Sequence, residues 1–152
     1  MGPTRHVTEV TMTTEPSAGC VFCAIVRGTL PAHRVHEDDA TLAFLDINPA
    51  AKGHTLVVPK QHADDLFTVD AEEAAAVMRT VRLVARRIDE LLAPDGLTLV
   101  QTNRPAGWQD VFHLHVHLVP RWEGDGLARP WTPRPGRPED LETVAARLRL
   151  SR

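Results

Sequence analysis

The chain has 152 residues, 43% apolar and 24% charged, which suits one domain built on one core. Its net charge of −3, with Lys and Arg dispersed along the chain, excludes a protein that wraps a long nucleic acid, while a small anionic ligand stays open. No run approaches the roughly 20 apolar residues that cross a bilayer, and eight histidines beside no tyrosine make imidazole the obvious chemical group.

Residues 1–17 are polar and rich in Thr, and they lack the apolar stretch of a secretion signal. They read as a disordered tail ahead of a single domain over 18–152, and the cytoplasm is the expected location. In that compartment Cys20 and Cys23, a C-x-x-C pair, are a redox pair, an accident or half of a metal site rather than a structural disulfide. The segment 21–28 suggests a short helix ending at Gly28. A short strand near Arg34 to Glu37 is followed by strands at Thr41 to Asp46 and His54 to Pro59, joined by a turn over 48–53.

Asp70 with Glu73 makes a capping box. Behind it Val77, Met78, Val81, Val84, Ala85, Ile88 and Leu91 form one stripe on a helix of about 22 residues, which Pro94 and Gly96 stop. Leu97 to Thr102 and Val111 to Pro120 are the remaining strands. The stretch from Trp122 to Pro138 is dense in Pro, Gly and Arg and therefore irregular. A last helix opens at Pro138, Glu139 and Asp140 and carries Leu141, Val144, Ala145 and Leu148 on one side. The expected class is α+β: an antiparallel sheet of about five strands with one long helix on a face and short flanking helices.

Residues 111–119 read VFHLHVHLV. Side chains on a strand alternate faces, so Phe112, Leu114, Val116 and Leu118 share the core face and His113, His115 and His117 the other. Same-face neighbours lie about 6.6 Å apart, so the row reaches about 13 Å and cannot easily close on one metal. It suits an extended ligand such as a phosphate chain, with one imidazole attacking phosphorus and its neighbours contacting oxygens. In the preceding loop, Gly107 permits close approach of backbone to phosphate, and Asn103 and Gln109 carry side-chain donors for phosphate oxygens.

The run VFHLHVHLVPR, together with AFLDINPAAKGHTLVVPKQH earlier in the chain, resembles the signature blocks of the histidine triad (HIT) family of nucleotide hydrolases and transferases. The resemblance extends from about Cys20 to Arg121. It implies that His115 is the nucleophile on the α-phosphorus, with a nucleotidyl-histidine intermediate, and that His117 and His54 line the phosphate. It also implies that Asp46 binds ribose and that Phe22, Ile25, Leu30 and Phe44 sandwich the base. Asp110 departs from a branch of the family that has Ser there, which puts side-chain donation at that position in doubt. Members with the cysteine pair bind structural zinc, which implies Cys20, Cys23, His62 and His113 as ligands and assigns His113 to metal rather than substrate.

The expected function is hydrolysis of AMP- or GMP-linked phosphoramidates or mixed anhydrides, in the manner of a purine nucleoside phosphoramidase. Dinucleoside polyphosphate hydrolysis, a nucleotide-binding regulatory module with little catalysis, and a metalloenzyme using the histidines as catalytic ligands are the competing readings. The resemblance further implies a homodimer, with purine nucleotides as ligands and no long nucleic acid or membrane as partner. Trp131 is expected to reach an active site, its own or a neighbour's. His6, His33 and His36 read as surface residues.

Overall fold

The computed structural model describes residues 18–150, so the expected tail and His6 lie outside the described residues. The elements in order are α1 (Val21–Arg27), β1 (Arg34–Glu37), β2 (Thr41–Leu45), β3 (Thr55–Pro59), α2 (Ala71–Leu92), β4 (Gly96–Val100), β5 (Val116–Arg121) and α3 (Pro138–Leu148). The five strands form one antiparallel sheet in the order β1-β2-β3-β5-β4. This is the α+β sheet with one long helix that the sequence leads one to expect.

Two apolar layers hold it together. On one face Val77, Val81, Val84 and Ile88 of α2 pack on Ala43, Val57, Leu114, Val116 and Leu118. On the other, Phe22 and Ile25 of α1 pack on Leu42, Phe44, Leu56 and Val58. The sheet is thus covered on both sides near its centre, which explains why β2 and β3 read as continuous apolar runs rather than alternating ones.

The starts of α1 and α2 are capped by side chains, though not entirely as expected. Asp70 accepts from the Glu72 N–H at 2.9 Å, but Glu73 Oε2 has no hydrogen-bond partner among the described residues. The reciprocal arm of the capping box therefore gains nothing from that oxygen. On α2, Met78 and Leu91 are 52% and 62% exposed, contrary to the stripe drawn from periodicity. Thr80 is buried instead, because its hydroxyl meets Thr41 Oγ1 at 2.7 Å and Asp38 Oδ2 at 3.3 Å. Gly28 ends α1 in the left-handed region (φ 78°), where its N–H reaches back to the helix carbonyls.

The histidine segment needs the larger correction. Regular pairing begins only at Val116, so His113 lies in a bend, His115 in the unpaired lead-in, and His117 alone within β5. Alternation still holds from Leu114 onward, with Leu114, Val116 and Leu118 in the α2 layer. Phe112 falls out of the pattern at 49% exposed. The histidine face is no open surface either: α1 covers it, leaving His113 and His115 at 0% and 2% exposed.

Candidate active site and metal centre

Cys20 caps α1, its Sγ accepting from the Cys23 N–H at 3.4 Å, so the helix turn itself brings the two sulfurs together. Cys23 Sγ lies 3.3 Å from His62 Nδ1 and 3.5 Å from His113 Nδ1, and Cys20 Sγ lies 3.4 Å from the same His113 nitrogen. These four ligand atoms all fall within 4.8 Å of one another, a group that can hold a metal ion. The outer nitrogens fix the tautomers. His113 Nε2–H donates to the Pro59 carbonyl at 2.8 Å, and His62 Nε2–H donates to Asp64 Oδ1 at 2.9 Å. Each Nδ1 lone pair is thereby aimed inward, as metal-ligating histidines require. Burial, partly opposed by the Pro59 hydrogen bond, lowers His113 from 6.5 to about 4, so the ring is neutral and ready to ligate at neutral pH. Asp64, which orients the His62 ring, is a neighbour that sequence reasoning missed, although its spacing two residues after His62 was a usable signal.

His115 is wired in the opposite sense. His115 Nδ1–H donates to the His113 carbonyl at 2.7 Å, which leaves the Nε2 lone pair unencumbered. Phe22 meets this ring edge-on, with centroids 5.2 Å apart. The His113 residue is therefore shared: its side chain turns to the metal group while its carbonyl orients the neighbouring imidazole.

His117 is organised by a chain of donors. The Ala50 N–H donates to His54 Nδ1 at 3.0 Å, so the neutral His54 ring carries its hydrogen on Nε2. That hydrogen is donated to His117 Nδ1 at 2.9 Å, and the hydrogen of His117 is then on Nε2. Burial holds both rings below the ordinary imidazole range, with Asp46 opposing it at His54. The ligand-capable atoms of Asp46, His54 and His117 also lie within 4.8 Å of one another. The Ala50 bond argues against a metal there, because it fixes the ring hydrogen on the very nitrogen a metal needs. His54 itself is 6% exposed and backs His117 rather than lining the cleft.

A cleft of about 340 Å³ opens beside these rings. Phe22, Ile25, Leu30 and Phe44 form its apolar wall, and Asp46, Asp110, His115 and His117 its polar end. Four expected base-contacting residues and the expected ribose carboxylate are thus gathered with His115 and His117. Asp46 Oδ1 is held by the Asn48 N–H at 2.8 Å.

Asn103 and Gln109 are not brought there. Asn103 Oδ1 accepts from the Leu66 N–H at 2.8 Å, and its amide donates to Gln101 Oε1 at 2.7 Å. Gln109 is 6% exposed, accepts from the Arg104 N–H and donates to the carbonyls of Asp64 and Val111. Both side chains brace the loop before the histidines. Trp131 stacks near Trp108 at 6.4 Å, away from the cleft lining. His33 is exposed, and His36 is half-buried beside Asp38 at 3.5 Å.

The fold and site together define an antiparallel α+β protein with a histidine-floored cleft and an adjoining Cys/His group able to hold a metal ion. The HIT domain family matches residues 27–124, and the chain belongs to that family. It is 38% identical over 132 residues to "Protein hit" of Bacillus subtilis, covering 85% of this chain and 91% of the relative. It is 39% identical over 108 residues to "Adenylylsulfatase HINT3" of Arabidopsis thaliana, covering 71% of this chain and 55% of that protein. A solved Zn-bound histidine triad family protein from Mycobacterium smegmatis superposes with a TM-score of 0.69 at 41% identity, covering 86% and 95% of the two chains.

Proposed function

We propose that this protein is a nucleotide hydrolase that cleaves AMP- or GMP-linked phosphoramidates or mixed anhydrides through a nucleotidyl-His115 intermediate. The observation that carries this reading is the hydrogen bond from His115 Nδ1 to the His113 carbonyl, which leaves Nε2 as a fixed lone pair beside the cleft. The base lies against Phe22, Ile25, Leu30 and Phe44, and Asp46 accepts from the ribose hydroxyls. His115 Nε2 bonds to phosphorus as the bond to the leaving group breaks, and His117 donates its Nε2–H to a phosphoryl oxygen. Water then attacks phosphorus, the His115–phosphorus bond breaks, and the nucleoside monophosphate leaves. His54 acts through His117, as a positioning residue.

The metal is zinc, held by Cys20, Cys23, His62 and His113. Tetrahedral zinc with ordinary bond lengths sets neighbouring sulfur and nitrogen ligands about 3.5 Å apart, close to the separations of 3.3 to 3.5 Å found here. Its role is structural, tying α1 to the histidine segment. The name of the Arabidopsis relative, an adenylylsulfatase, supports the mixed-anhydride class. No helix among the described residues is long and apolar enough to cross a membrane. We place the protein in the cytoplasm as a homodimer, joined through the edge strand β4 and the exposed side of α2, where Leu99 and Leu83 are 46% and 50% exposed.

The test is turnover of adenosine 5′-phosphoramidate with rapid acid-free quenching and mass spectrometry of the protein. A nucleotidyl adduct on His115 that forms and decays, and loss of turnover in His115→Ala, are expected. Equal rates in the variant and the wild type would remove the proposed nucleophile.

A further inference from the structure

The polar end of the cleft carries an unusual charge balance. Two carboxylates, Asp46 and Asp110, line it, and among the described residues no Lys or Arg does. Asp46 is turned inward beside His54 and His117, at 3.7 and 3.9 Å. Asp110 is different: its side chain is 83% exposed at the rim, and its Oδ1 stands 3.8 Å from His115 Nε2. The Val111 N–H, at 2.9 Å, holds that oxygen in place. A fixed negative charge therefore flanks the nucleophilic nitrogen on the solvent side.

In-line attack constrains what lies near this charge. Phosphorus must sit about 3 to 3.5 Å from His115 Nε2, with the leaving atom beyond it, roughly 5 Å from that nitrogen. A substituent on the leaving group then lies on the order of 6 Å from Asp110. We propose that Asp110 selects the leaving group by charge. Amines bearing a further cationic group are favoured, and leaving groups bearing a carboxylate or further phosphates are rejected. The inference rests on the hydrolase reading above and deepens it. It ranks a phosphoramidate with an ammonium-bearing arm first and a dinucleoside polyphosphate last, because neither a Lys nor an Arg offsets the extra phosphates. In the favoured reaction the His115–phosphorus bond forms as the phosphorus–nitrogen bond breaks. The departing nitrogen keeps the bonding pair and takes a proton from solvent, and the distal ammonium is unchanged.

A unit charge about 6 Å away in near-aqueous surroundings changes a rate constant by about threefold in either direction, so cation against anion differs by about tenfold. The experiment uses two adenosine 5′-phosphoramidates with arms of matched length, one made from a diamine and ending in ammonium, the other from an ω-amino acid and ending in carboxylate. The ratio of their kcat/KM values is measured in the wild type, Asp110→Asn and Asp110→Ser at low and high salt. The expected ratio is about ten in the wild type, within about twofold of unity in both variants, and reduced by salt in the wild type alone. A flat wild-type ratio, or one that survives both substitutions while turnover still depends on His115, overturns this inference and leaves the hydrolase reading standing. Absence of turnover on both compounds, or turnover that persists in His115→Ala, overturns both together.

Discussion

His117 offers the sharpest quantitative test, because its neutral state underlies its proposed place as a donor in the cleft. Burial, reinforced by the charges of His115 and His54 and opposed by Asp46 and Asp110, lowers it from 6.5 to about 4. The ring is only 22% exposed, so the shift acts largely without solvent screening. The folded state binds fewer protons than the unfolded chain between these two values. Stability from this group is therefore complete above the unfolded value and is lost as pH falls through the window. Linkage gives a loss of about 2 kcal/mol between about pH 7.5 and about pH 5. His117→Asn cannot titrate and escapes that loss. Urea denaturation of the wild type and the variant at both pH values measures it, and titrating groups remote from His117 cancel in the comparison. An identical pH dependence in the two proteins would refute the reasoning, since it would mean that His117 is not held neutral by its surroundings.

Three further outcomes follow from the same geometry. Removing the proposed zinc with a chelator, or replacing Cys23 with Ser, is expected to cost at least about 3 kcal/mol, or roughly 6 to 12 °C in Tm; calorimetry with an unchanged Tm would show that the four proposed ligands hold nothing that matters to the fold. Gly53 has φ 82°, and a Cβ there would run into the Leu92 side chain, so Gly53→Ala should destabilise by roughly 1 to 3 kcal/mol in a urea titration, and a variant as stable as the wild type contradicts the turn geometry. Leu30 is 42% exposed on the cleft wall, so Leu30→Ala should leave folding intact while raising KM about 3- to 10-fold for an adenosine substrate with kcat little changed; a fall in kcat with constant KM would place the base elsewhere.

Much of this protein is written in its local pattern. Gly28 and Pro94 mark helix ends, the three- and four-residue spacing of Val77, Val81, Val84 and Ile88 identifies the core face of α2, and the strands follow from short apolar runs between turn residues. The alternation of His with Leu and Val after residue 113 orients the histidines together, because extended backbone leaves no other choice. Local pattern alone could not tell that Thr80 would be buried in place of Met78, since that depends on a hydroxyl partner 39 residues away on β2.

The tertiary structure alone decided which polar groups meet. Asn103 and Gln109 have the right chemistry for phosphate, yet the fold consumes both in bracing the loop. His54 has a ligand's chemistry but stands behind His117, and its tautomer is set by a backbone N–H at Ala50. Cys20 and Cys23 meet His62 and His113 only because α1 crosses the histidine face. A sequence fixes which atoms can donate and accept. Which nitrogen of each imidazole keeps a lone pair depends on what the other nitrogen meets, and those partners come from distant parts of the chain.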